Sequence, residues 1–170
     1  MLLTGTVIPT IQVRSMSQQR LLGDESRTVK ALSLTQPWAT LIAVSAKQYE
    51  TRSWGTQYRG PLAIHASKGF PRYAIQACLT QPFSRVLYEA GIRYPAQLPL
   101  GCIVAVCELE SCVRTEFASR IISDQEKAFG DYTPGRWAWV LKHVRKLDTP
   151  VPARGSLGLW DWDPVTQECG

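Results

Sequence analysis

The stretch AKQYETRSW, residues 46–54, decides how the chain is read. As a strand it sends Gln48, Glu50, Arg52 and Trp54 to one face and Tyr49, Thr51 and Ser53 to the other, because successive side chains alternate. Neither face offers the apolar stripe that usually fixes a strand's register against a core. Two accounts compete. In the first, Glu50 and Arg52 form a surface ion pair worth about 0–1 kcal/mol and Trp54 packs at the core edge. In the second, the row lines a concave polar site. Backbone N–H groups of a helix start at Gln36 together with Arg52 would bind phosphate or carbonyl oxygen, Trp54 would stack, and Glu50 would accept hydrogen bonds from a base edge.

Upstream, VKALSLTQPWATLIAVSA reads as a strand from Val29 to Leu34 running into a helix, with Thr35 as N-cap and Pro37 in the first turn. Trp38, Leu41, Ile42 and Ser45 follow at helical spacing and form its inward face. Downstream, a turn near Tyr58-Arg59-Gly60 leads to PLAIHAS, where Leu62, Ile64 and Ala66 alternate with Ala63, His65 and Ser67. The two strands are predicted to meet as a hairpin-like corner, which would bring His65 and Ser67 to the polar row, with Arg59 and Lys68 flanking. His65 reads equally well as a hydrogen-bonded structural residue or as an acid or base.

Further on, a helix is predicted from Pro71 through Leu79, and PFSRVLYEAG supplies another, with Phe83, Val86, Leu87 and Ala90 inward and Gly91 at its end. GCIVAVCEL is apolar on both faces and reads as a central strand. Ser123-Asp124-Gln125-Glu126 has a capping-box pattern for a short helix ended by Gly130. RWAWVLKHVRKL reads as a long strand and GLWDWD as a closing one. The tryptophans of these last two segments are expected to build the core. Strands and helices do not alternate as in a doubly wound fold. The expectation is an α+β or mostly-β domain: a small barrel-like sheet with peripheral helices.

At 170 residues, 45% hydrophobic and 19% charged, the chain has the composition of one folded domain. Residues 1–28 lack periodicity and contain Met16, an alternative start, so a loosely ordered tail is expected there, a domain over 29–163 and a short tail over 164–170. No apolar run approaches the roughly 20 residues needed to cross a bilayer, and a cytoplasmic protein without a membrane partner is expected. The five cysteines contain no C-x-x-C pair and there are two histidines, so no metal site is expected. Phosphate-loop, dinucleotide and nucleophile-elbow motifs are missing, and no cofactor is expected. The formal charge is +5. The tail's three arginines against two carboxylates account for one unit of it, so the basic excess belongs to the folded part and favours polyanionic partners.

Taken together, LSLTQPWATLI, AKQYETRSW, YRGPLAIHASK, RWAWVL and GLWDW resemble the activating signal cointegrator homology (ASCH) family over about residues 29–163. The family motif G-x-K-x-x-E-x-R is matched at Lys47, Glu50 and Arg52. Ser45 stands in the glycine's place, and serine tolerates positive φ poorly. The resemblance implies a pseudouridine-synthase-and-archaeosine-transglycosylase-like (PUA-like) β-barrel, with a motif-lined cleft between barrel and helix, and binding of RNA or other nucleic acid. One bacterial branch resembles an amidohydrolase that deacetylates N4-acetylcytidine with a lysine, a threonine and a glutamate. Lys47 sits at the lysine, whereas Glu50 occupies the threonine's place.

Lys47 as a base at neutral pH would need a strongly lowered pKa, which Arg52 promotes and Glu50 opposes. The first expectation is therefore a binding module for RNA or a modified nucleotide, with Gln36, Lys47, Glu50, Arg52, Trp54, Arg59, His65, Ser67 and Lys68 as ligand-binding candidates. The second is the amidohydrolase, with Lys47 and Glu50 in catalytic roles. The third is a protein-interaction module, favoured by any exposed aromatic patch at Trp160 or Trp162.

Overall fold

A computed structural model describes residues 28–164. The expected tails, with Met16, lie outside the described residues except for Thr28 and Pro164. The order of elements is β1 (Val29–Leu34), α1 (Trp38–Ala43), β2 (Tyr49–Arg52), β3 (Gly60–Ala66), α2 (Arg72–Cys78) and α3 (Phe83–Glu89). A 3-10 turn at Pro95–Gln97 then precedes β4 (Cys102–Arg114), α4 (Thr115–Ala118), α5 (Asp124–Ala128), β5 (Trp137–Pro152) and β6 (Leu159–Trp162). Among the described residues no helix is long and apolar enough to cross a membrane.

The strands form one mixed sheet in the order β2-β5-β4-β3-β1-β6. β1 runs parallel to β3, and the other pairs are antiparallel. The protein is thus α+β, with an apolar central strand where GCIVAVCEL predicts one. Period-two alternation sorts the two faces. Leu32, Leu34, Leu62 and Ile64 enter the larger core with Ile42 of α1 and the fully buried Trp139, while Ala31, Ala63, Ile103 and Trp162 pack on the opposite side.

The expected barrel is not closed. Among the described residues β2 and β6 are edge strands, and no ladder joins the four-residue β2 to the β1 side of the sheet. β6 pairs with Val29–Leu32 only, so the carbonyl of Ser33 lies past the end of that ladder. Arg52 Nη2 donates to it at 2.9 Å, and a side chain spans the gap that a strand pairing would have filled.

The hairpin-like corner between β2 and β3 is also absent: β2 pairs with β5, and β3 lies between β1 and β4. Past Arg52 the chain leaves the sheet, and at Gly55 the backbone lies so close to Trp137 that an added Cβ would come within 2.7 Å of its ring.

Two details of α1 differ from expectation. Thr35 is not its cap. The residue before the helix is Pro37, which makes no side-chain cap bond, and the Gln36 side chain receives the Thr40 N–H at 3.1 Å. Ser45 is exposed rather than inward and has φ +61, beyond the helix end.

Candidate functional site

β2 lies against the segment that joins β4 to β5, and its residues and those of α5 meet in a charged cluster. The Lys47 side chain has no exposed surface. Its Nζ donates to the Tyr49 carbonyl and lies 3.7 Å from Glu50 Oε2 and 3.9 Å from Glu126 Oε1. Glu126, on α5, accepts the N–H of Gln48 at 2.9 Å and that of Tyr49 at 3.2 Å. Its own N–H donates to Ser123 Oγ at 3.1 Å, so the first half of the capping box forms as the sequence suggests. The carboxylate turns instead to β2.

The chain of charge continues from Glu50 to Arg52, whose Nε lies 3.3 Å from Glu50 Oε1. That approach meets the distance of an ion pair without the direction of a hydrogen bond, and Arg52 Nε has no hydrogen-bond acceptor. Two cations and two anions thus alternate as Glu126, Lys47, Glu50, Arg52. Burial pulls Lys47 below the usual lysine range, and the Glu50 and Glu126 charges oppose this without overcoming it. Burial, followed by the same two carboxylates, pushes the Tyr132 phenol above its ordinary value.

Above the cluster opens a cleft of about 590 Å³. Glu50 and Arg52 line one side, Trp38 and Tyr73 stand on its wall, and Asp131 and Arg136 come from the β4–β5 connection. Arg136 pairs with Asp131 at 3.3 Å, as Arg52 does with Glu50, so each cation of the cleft has its own carboxylate. Hydrogen bonds from the Thr133 side chain and backbone hold the Asp131 carboxyl below its usual range. Thr51 Oγ1 accepts the Asp131 N–H at 3.0 Å and ties the connection to β2. Tyr73 is 65% exposed, with its ring centroid 6.3 Å from that of Trp38.

The structure brings only part of the predicted set together. Glu50 and Arg52 face the cleft. Lys47 lies beneath it, and Gln36 is fully buried, with Nε2 donating to the Pro99 carbonyl at 2.9 Å and Oε1 accepting from Thr40. Trp54 packs edge-on against Trp139 at 4.7 Å, away from the cleft walls.

Arg59 donates to the carbonyls of Thr56 and Tyr58 at the start of β3. His65, Ser67 and Lys68 lie at the other end of that strand, in a separate hollow. Strand geometry separates Arg59 from Lys68 by roughly 20–30 Å.

The sequence reading missed Glu126, Tyr73, Asp131 and Arg136. The one signal for Glu126 was its place in a five-residue helix with no apolar face to bury, and the capping box already accounted for it.

Comparison with known proteins gives the following. The ASCH domain model matches residues 32–151. Activating signal cointegrator 1 of Mus musculus and of Homo sapiens are each 26% identical over 132 residues, covering 78% of this chain and 22% of theirs. The chain thus spans about a fifth of the length of these curated relatives. Among solved structures, ASCH from Zymomonas mobilis is similar at 16% identity and TM-score 0.42, covering 72% of each chain. A mutant of that protein gives 17% and 0.42, covering 74% of this chain and 76% of its own.

Proposed function

The chain belongs to the ASCH domain family, and from that premise we propose that its cleft takes a nucleobase of RNA or of a modified nucleotide. The observation that carries the reading is a hollow with a carboxylate and a guanidinium side by side, an aromatic wall and no unpaired cation. Paired charges suit a neutral heterocycle with donor and acceptor edges better than a bare phosphate. Glu50 accepts from an amino or ring N–H, and Arg52 donates to a carbonyl oxygen. Tyr73 stacks, the part the sequence reading gave to Trp54. Lys47 acts from below by fixing the strand that presents Glu50.

Titration of a labelled single-stranded RNA against the wild type, Glu50→Gln and Tyr73→Ala tests this. Each variant is expected to lose roughly tenfold or more in affinity, since a stacked base contributes about 1–3 kcal/mol. Wild-type affinity in both variants, or no wild-type binding at low salt, overturns the reading.

A second reading, hydrolysis of an acylated nucleoside such as N4-acetylcytidine, draws on one observation: burial moves Lys47 in the direction a base requires, with Glu126 as a further carboxylate beside it. It stands second because the amine has no exposed surface. Prolonged incubation of the nucleoside with wild type and Lys47→Ala tests it, and an unchanged substrate rejects it. The protein-interaction reading loses its favouring feature, since Trp162 is 3% exposed and Trp160 is half-buried with its indole N–H on Ser33 Oγ.

A further inference from the structure

The second hollow, of about 850 Å³, lies at the end of β3, and its chemistry is the reverse of the cleft's. Lys68 and Arg154 line it and no carboxylate does. Neither side chain makes an ion pair or donates a hydrogen bond among the described residues.

Both are positioned by the backbone. Gly101 donates its N–H to the Ala66 carbonyl at 2.7 Å and accepts the Ala153 N–H at 3.0 Å, so the residues just past Ala66 and Ala153 are gathered around one point. The Lys68 stem lies over Gly101, where an added Cβ would come within 2.8 Å of it. His65 supports the other wall from underneath: its Nε2 donates to the Ala153 carbonyl at 3.0 Å, which leaves Nδ1 to accept from the Ser33 hydroxyl at 3.1 Å. Gly155 closes over this pair so tightly that a Cβ there would meet the imidazole at 2.3 Å. Ser33 belongs to the walls of both hollows.

We propose that this second hollow is a phosphate subsite for a single-stranded nucleic acid, in which Lys68 and Arg154 hold the phosphodiester next to the nucleotide whose base occupies the cleft. The assignment rests on the base-binding reading of the cleft and adds what that reading lacks. A charge-balanced cleft gives a strand no electrostatic hold, whereas two cations beside it that have no carboxylate partner among the described residues do. It makes the ligand an oligonucleotide strand rather than a free nucleoside.

The test uses the full chain and a labelled single-stranded RNA of about eight nucleotides, titrated over a range of salt concentrations. Variants are Lys68→Ala/Arg154→Ala, Glu50→Gln, and Arg145→Ala/Lys146→Ala as a control that removes the same charge from the exposed part of β5. The Lys68/Arg154 variant is expected to bind about tenfold or more weakly at low salt. Its slope of log affinity against log salt is expected to fall by about 1.4, from two lost contacts at about 0.7 each, with the control unchanged.

Glu50→Gln is expected to weaken binding with the salt slope intact. Wild-type affinity and slope in the Lys68/Arg154 variant, or an equal loss in the control, overturns the subsite. A reduced slope in that variant alongside full binding by Glu50→Gln upholds the phosphate subsite and rejects the cleft as the base site.

Discussion

Glu126 Oε2 accepts the backbone N–H of Gln48 at 2.9 Å across a separation of 78 residues. With the Tyr49 N–H on its other oxygen and the Lys47 ammonium nearby, this carboxylate holds the β4–β5 connection onto β2. The same connection supplies Asp131 and Arg136 to the cleft, so one buried side chain underlies both the stability and the shape of the site.

Replacing Glu126 by Ala leaves two backbone donors without their acceptor and takes one of the two neighbouring carboxylates from the buried Lys47 ammonium. The expected loss is about 3 kcal/mol or more in urea unfolding, the scale of breaking a buried pair from one side. Glu126→Gln retains an acceptor oxygen and is expected to lose less. Equal stability of both variants and the wild type would show that the carboxylate does not anchor the connection.

Ser45 occupies the left-handed region at φ +61, directly after the last turn of α1, where its N–H donates to the Ile42 carbonyl at 2.8 Å. Left-handed backbone costs a residue with a Cβ about 1–2 kcal/mol. Ser45→Gly is therefore expected to raise stability by about 0.5–1 kcal/mol, after part of the gain is offset by the freer unfolded chain. Thermal unfolding reads the change, and a lowered midpoint would contradict it.

His65 is held below its ordinary value of 6.5 mainly by burial. The unfolded chain then binds more protons than the native one below that pH. The histidine's contribution is complete above about 6.5 and is lost as the pH falls toward the depressed native value. Wild type is expected to lose stability between neutral pH and about 5 faster than His65→Gln. Parallel pH profiles of the two would remove His65 from this role.

The thiols act at the other extreme. Burial pushes Cys107 up to about 12 and Cys78 up to about 11, from an ordinary value of 9.0. Native thiols keep their protons where unfolded ones have released them, so their contribution is full below 9.0 and disappears as the pH climbs toward 11 and 12. Cys107→Ala is expected to be less stable at neutral pH and to show a shallower alkaline decline. An unaltered decline would mean that this thiol does not titrate on unfolding.

What the sequence disclosed divides along a physical line. Periodicity reports which way a side chain points, so the two faces of β3, the burial of Phe83, Val86 and Leu87 in α3, and the apolar β4 were all legible. Pairing partners are long-range choices that leave no local mark. The β2–β5 ladder was therefore read as a β2–β3 corner, and an open sheet was read as a barrel.

The site behaved alike. Glu50 and Arg52 were found from their row, while Glu126 was hidden because its local pattern already had an explanation in the helix cap. Lys47 was read as a ligand group because nothing in its neighbours reveals that it lies wholly inside.

The bond from Arg52 to the Ser33 carbonyl makes this arginine a clasp between two rims of the sheet as well as a wall of the cleft. An Arg52→Ala protein that failed to bind would have lost its clasp and its wall together, and the failure could not be credited to either one. Glu50, which carries no such fastening to β1, is the better witness to what the hollow recognises.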